Sequence, residues 1–240
     1  MKLIQSRSWR AMVRMVSGIA LAVLTACASP PARFYTLGTD SDSTIGNRTA
    51  SPAFLIDMRP VKVPVAVARS QLVVQLNAAQ VKVLEDDRWA SPLPDEIRNA
   101  LLAALTRQAS ALDVHEVAPP VYQVSVDVQR FESWPGSRAL IDAVWSVRRS
   151  DDRETLTCHS IVSQPVSAGY NAVVDGHRQA IRRIAAQIAE GVREFSAAST
   201  VRPIRLAGTP GTTRKATLSC PSLAGGSDTG MNVPVLGPAR

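Results

Sequence analysis

Three features of the sequence predict an α+β fold, a single domain with a mixed, largely antiparallel sheet packed by two main helices. Tyr122, Val124, Val126 and Val128 alternate with Gln123, Ser125, Asp127 and Gln129, and Ile141, Ala143, Trp145 and Val147 repeat the same two-residue period. That period is the mark of half-buried strands. Two other segments carry apolar residues at helical spacing, and the order of strand group, helix, strand group, helix suits helices layered on a sheet.

The first strand is expected at Arg33 to Leu37, a short apolar and aromatic run, with a polar loop from Gly38 to Ser51 after it. Ala53 to Met58 reads as a second strand. Pro60 and Pro64 then keep the chain extended, because proline fixes φ and removes a donor. Gln71 to Leu76 and Val81 to Leu84 read as a hairpin joined by Asn77-Ala-Ala-Gln80. The first helix is expected to start near Ser91 or Pro92, where serine caps and proline is tolerated, and to end near Ala109 or Ser110. Asp95 and Glu96 suit the positive end of its dipole, and Ile97, Leu101, Ala104 and Leu105 form its apolar stripe.

The two alternating strands follow, joined by a turn at Trp134-Pro-Gly-Ser137, and a third strand over Thr155 to Ser163 completes a meander. The closing helix spans about Ala172 to Ser196, with Ile181, Ile184, Ile188, Val192 and Phe195 on one stripe. Gly176 should weaken its first turns by about 1 kcal/mol relative to alanine.

Ahead of this domain lies a different kind of segment. Lys2, Arg7, Arg10 and Arg14 make a basic start, Met15 to Leu24 is a short apolar run, and Leu24-Thr-Ala-Cys27 follows. The apolar run is about half the roughly 20 residues that span a bilayer as a helix. It reads as a lipoprotein signal over residues 1–26, with Cys27 the lipid attachment site and 27–32 a tether. Acyl chains on Cys27 would hold the protein on a membrane. Ala28 and Ser29 lack the aspartate that marks inner-membrane retention in enteric bacteria, which favours the periplasmic face of the outer membrane. The domain is expected over 33–197, and the Gly/Pro/Thr-rich stretch 198–240 reads as a disordered tail.

The net charge of +7 belongs to the ends of the chain. The signal contributes +4 and the tail another +4, which leaves the body near −1. Nothing here is a nucleic-acid footprint. Cys158 and Cys220 remain after Cys27, and an oxidising compartment would permit a disulfide between them or leave both as thiols. His115, His159 and His177 lack the spacing that lets two ligands reach one metal, so no metal site is predicted. Cys158 and His159 are neighbours on a predicted strand and should point to opposite faces, which argues against a thiol dyad. No phosphate-cradling loop, nucleophile elbow or cofactor motif is present, and no cofactor is expected.

Trp89 and Trp134 lie at element boundaries. They could close the ends of the core, or with Arg69 and Arg88 they could anchor a partner surface, where Trp and Arg are favoured.

The run Leu24-Thr-Ala-Cys27, Arg33-Phe-Tyr-Thr-Leu37, Pro60-Val-Lys-Val-Pro64, Arg69-Ser-Gln-Leu-Val73 and Arg88-Trp-Ala-Ser-Pro-Leu93 ahead of an amphipathic helix resembles the auxiliary lipoproteins of ABC-type transport systems, the PqiC-like group. The resemblance spans roughly Cys27 to Phe195. It implies a fold similar to the amino-terminal domain of TolB, an outer-membrane anchor, and partnership with a mammalian-cell-entry (MCE) protein in an intermembrane lipid-transport machine. It also implies homo-oligomerisation and no catalytic residues. The leading expectation is therefore a non-enzymatic docking lipoprotein. A lipid-binding carrier stands second, and a periplasmic hydrolase or thiol enzyme using Cys158 third.

Overall fold

The structure is a computed structural model that describes residues 31–38, 52–110, 119–152, 154–200 and 219–221. Its contacts divide the chain into Met1–Arg33 and a larger body, Phe34–Arg240. The expected signal, most of the tether, Cys27 and His115 lie outside the described residues.

Among the described residues, seven strands and two helices follow in the expected order: β1 (Arg33–Tyr35), β2 (Leu55–Met58), β3 (Gln71–Gln75), β4 (Val81–Trp89), α1 (Leu93–Ser110), β5 (Val121–Trp134), β6 (Arg138–Arg149), β7 (Thr155–Pro165) and α2 (Tyr170–Thr200). The α+β class is as predicted. The strands divide between two sheets, one ordered β1-β4-β3 and the other β2-β5-β6-β7. Most pairings are antiparallel, and β2 runs parallel to β5. Past β2, the proline-flanked chain stays extended along β5. Lys62 N–H donates to the Val126 carbonyl at 3.2 Å and the Val128 N–H to the Lys62 carbonyl at 2.9 Å.

Both helical stripes are buried. Ile97, Leu101, Ala104 and Leu105 of α1, and Ile181, Ile184, Ile188, Val192 and Phe195 of α2, all enter one core with the inward positions of β5 and β6. Helix α2 lies across β6 and β7, while α1 packs on α2 and β2. Several strands outrun their sequence expectation. β5 continues to Trp134 because a bulge between Val128 and Arg130 resets its alternation. Gln129 and Arg130 both face solvent, and Phe131 and Ser133 then take the buried positions. A bulge adds one residue and breaks a strict two-residue reading there.

Gly176 sits where α2 packs closely against the sheet. A Cβ at this position would lie 2.4 Å from Val166 Cγ1 and 2.8 Å from Ala139 Cβ. The propensity lost by glycine in a helix is therefore offset by close packing that no larger residue allows.

The described part of the tail returns to the body. Cys220 is joined to Cys158 on β7 in a disulfide, with Cα atoms 5.6 Å apart, and packs against the core. Helix α2 runs to Thr200, a few residues beyond the expected end of the domain.

Candidate functional site

The two motifs Arg33-Phe-Tyr-Thr-Leu37 and Arg88-Trp-Ala-Ser-Pro-Leu93 meet at one end of the body. β1 pairs beside β4, the strand that carries Arg88 and Trp89 into α1. The Ala90 N–H donates to the Tyr35 carbonyl at 2.7 Å, and the Tyr35 hydroxyl donates to Asp87 Oδ1 at 2.8 Å.

Glu96, in the first turn of α1, fastens this junction. Its Oε2 accepts from the Leu37 N–H at 2.7 Å and the Thr36 hydroxyl at 2.8 Å. Its Oε1 accepts from the Ser91 hydroxyl at 2.7 Å and the Ser91 N–H at 3.1 Å. The carboxylate is buried, and a buried charge is tolerable only when its lone pairs are filled in this way. From α2, Arg178 donates two hydrogen bonds to the Thr36 carbonyl, at 2.8 and 3.1 Å. Tyr35, Thr36 and Leu37 are thus spent on holding β1 in place.

What the two motifs leave outward lines a groove of about 490 Å³. Phe34, Arg69, Arg88, Trp89, Pro92 and Leu93 are among its walls. Leu93 is buried and Trp89 keeps only 5% exposure, so they form a floor. The Trp89 ring also meets Phe131 edge-on at 6.1 Å and closes the core from inside. Arg88 Nε donates to the Glu85 carbonyl at 2.8 Å, and among the described residues neither Arg69 nor Arg88 pairs with a carboxylate.

Three of the four residues singled out as partner contacts, Arg69, Arg88 and Trp89, are therefore brought together. Trp134 is placed apart, at the end of β5. Its indole N–H donates to Glu132 Oε2 at 3.0 Å, and the Arg138 guanidinium lies over its ring at 5.1 Å from the centroid.

The other candidates for chemistry are committed elsewhere. Cys158 is tied in the disulfide. His159 points to the opposite face of β7, where its Nε2 donates to Asp142 Oδ1 at 2.6 Å, and Arg130 Nε donates to Asp142 Oδ2 at 2.9 Å. His177 is fully buried on α2, stacked on Phe131 at 3.9 Å, with Nε2 2.8 Å from the Ser133 hydroxyl. Its Nδ1 has no partner, and burial lowers its pKa from 6.5 to about 3. A ring held neutral inside the core is a packing element. Among the described residues no group of three or more His, Cys, Asp or Glu could hold a metal ion.

Sequence reasoning missed Glu96 as a junction and His177 as a core residue. Both signals were present only as a polar residue interrupting a helix's apolar face, which spacing alone does not separate from a solvated one.

No curated protein matches the chain. Solved structures share its fold, among them these two. One, a crystal structure of an uncharacterised protein, aligns with TM-score 0.55 at 20% identity and covers 68% of this chain and 99% of that one. The other, a protein from Xanthomonas campestris of the family DUF330, aligns with TM-score 0.50 at 16% identity and covers 61% of this chain and 88% of that one. At such identities the likeness concerns the fold alone. The model of the ABC-type transport auxiliary lipoprotein component matches residues 35–189, from β1 through most of α2, and the chain belongs to that family.

Proposed function

We propose that this protein is an outer-membrane-anchored periplasmic lipoprotein, and that it serves as the docking component of an MCE-type ABC system moving lipid between membranes. The observation that carries the reading is the family match over residues 35–189. The lipobox ending at Cys27 lies just before the matched segment and supports an anchor there. The Cys158–Cys220 disulfide supports an oxidising compartment such as the periplasm. Ala28 and Ser29 after the lipid site favour the outer membrane over the inner.

In this role the body needs no reaction chemistry. Cys27 holds it at the membrane; of the candidate contacts, the Trp134–Arg138 corner is proposed to meet the partner, while Arg69, Arg88 and the buried Trp89 stand together at the groove. The partner is an MCE-domain protein of the same transport system, and the lipoprotein is expected to act as a homo-oligomer.

The test is metabolic labelling with palmitate combined with affinity purification from membranes. The native chain should take the label, sediment with the outer membrane and bring down the MCE protein. Cys27→Ser should stay folded and lose both the label and the location. An unlabelled native chain would remove the anchor, and purification from membranes without the MCE protein would remove the docking role.

A further inference from the structure

The groove is unusual in what surrounds it. Val65 and Phe34, at 88% and 66% exposure, are the two most exposed large apolar side chains among the described residues. Phe34 lines the groove, and Val65 sits three residues before Ala68, in the Pro64–Ala68 turn that leads into its wall. Arg69 and Arg88 line the same groove, and among the described residues neither guanidinium pairs with a carboxylate. Among the described residues no acidic side chain lines the groove.

Exposed apolar tips beside guanidiniums that no described carboxylate neutralises match the boundary between acyl chains and headgroups. Apolar side chains gain by entering the acyl region there, and arginine pairs with phosphate oxygens in a bidentate fork. Chain length brings such a boundary within range. Phe34 is only seven positions after Cys27, a reach of at most about 25 Å even when fully extended. Anchored at Cys27, the body keeps its β1 end within that reach of the bilayer.

We propose that the groove is a membrane-contact site: Phe34 and Val65 enter the interface of the anchoring membrane, and Arg69 and Arg88 bind the phosphates of its phospholipid headgroups. The proposal rests on the reading of Cys27 as the lipid anchor and is independent of the transport partner. The contact would fix how the body stands on the membrane, which a flexible tether alone would leave free.

The experiment uses the full lipidated protein carrying Val65→Cys, labelled with a polarity-sensitive fluorophore and reconstituted in vesicles of phosphatidylcholine and phosphatidylglycerol. Spin-labelled lipids in the same vesicles should quench the probe. Adding Arg69→Glu and Arg88→Glu should cut the quenching at least in half while the thermal melt of the protein is unchanged. A probe that stays in water, or is quenched equally in the charge-reversed variant, overturns the proposal. So does a probe shielded only once the MCE protein is added, because the groove is then a protein-docking site. A protein that fails to enter vesicles at all defeats the anchor and this proposal together, whereas an anchored protein with an unquenched probe defeats the proposal alone.

Discussion

Two buried polar residues stand near the beginnings of the two helices, and they are treated in opposite ways. Glu96 of α1 has both carboxylate oxygens filled, by four donors from Thr36, Leu37 and Ser91. His177 of α2 has one ring nitrogen bonded to Ser133 and the other unpartnered. The first residue builds the groove end of the body by joining the chain just after β1 to the start of α1, two segments distant in sequence. The second fills volume in the seam between α2 and the sheet. A buried charge demands a network around it, whereas a neutral ring can be held by stacking and one hydrogen bond.

The contrast predicts its largest effect at Glu96. Glu96→Ala leaves the buried Leu37 N–H without its acceptor and takes the acceptor from the part-buried hydroxyl bonds of Thr36 and Ser91. Removing one partner of a buried charged network costs about 3 kcal/mol or more. Urea unfolding should show that loss, and hydrogen exchange should be fastest at β1. A loss spread evenly over the body, with β1 no more open than β5, would deny Glu96 its role as the junction.

At the seam the test is steric. Alanine at an exposed helix position gains about 1 kcal/mol over glycine. Gly176→Ala should instead destabilise by about 1 to 3 kcal/mol, because the new methyl runs into Val166 and Ala139. A stabilised variant in a thermal melt would mean that α2 can shift away from β6 and β7 without cost.

His177 adds a dependence on pH that Glu96 is not needed to explain. In the unfolded chain the imidazole takes up a proton near pH 6.5, and in the folded body only near 3. Between those values protons bind preferentially to the unfolded state, so stability falls as pH falls. The contribution is intact above pH 6.5 and declines by up to about 1.4 kcal/mol for each unit below it. Urea midpoints measured from pH 7 to 5 should follow this slope, and in His177→Phe the slope should flatten even though Ser133 loses its partner. An unchanged slope would place the acid sensitivity in other groups.

Most of the fold could be read from the sequence, because periodicity reports directly on burial. The stripes of both helices and the inward faces of β5 and β6 are the residues expected. The division into two sheets was not legible, since strand period says nothing about which edges pair. The bulge at Gln129 hid the last third of β5 for a related reason: a one-residue slip inverts the alternation on which the reading depends. In the candidate site, Arg69, Arg88 and Trp89 were chosen as residue types that suit contacts, and the fold places them around one groove. Trp134 met the same criterion and lies apart, because position at an element boundary does not specify which boundary adjoins which. Glu96 was read as a partner of the helix dipole, and only the arrival of β1 from sixty residues earlier makes it a junction.

The smallest expected effect separates structure from surface within a single motif. Tyr35, Thr36 and Leu37 are bonded or buried, whereas the Phe34 side chain is mostly in solvent. Phe34→Ser should therefore change stability by no more than about 0.5 kcal/mol, as exposed substitutions away from such networks do, while Tyr35→Phe should cost about 1 kcal/mol through the lost bond to Asp87. Thermal melts of the two variants side by side decide the matter. A large loss from Phe34→Ser would make its ring part of the groove's framework. The small loss would mean that a bulky aromatic side chain stands in water at no benefit to the fold, so whatever it gains must come from a surface outside the chain.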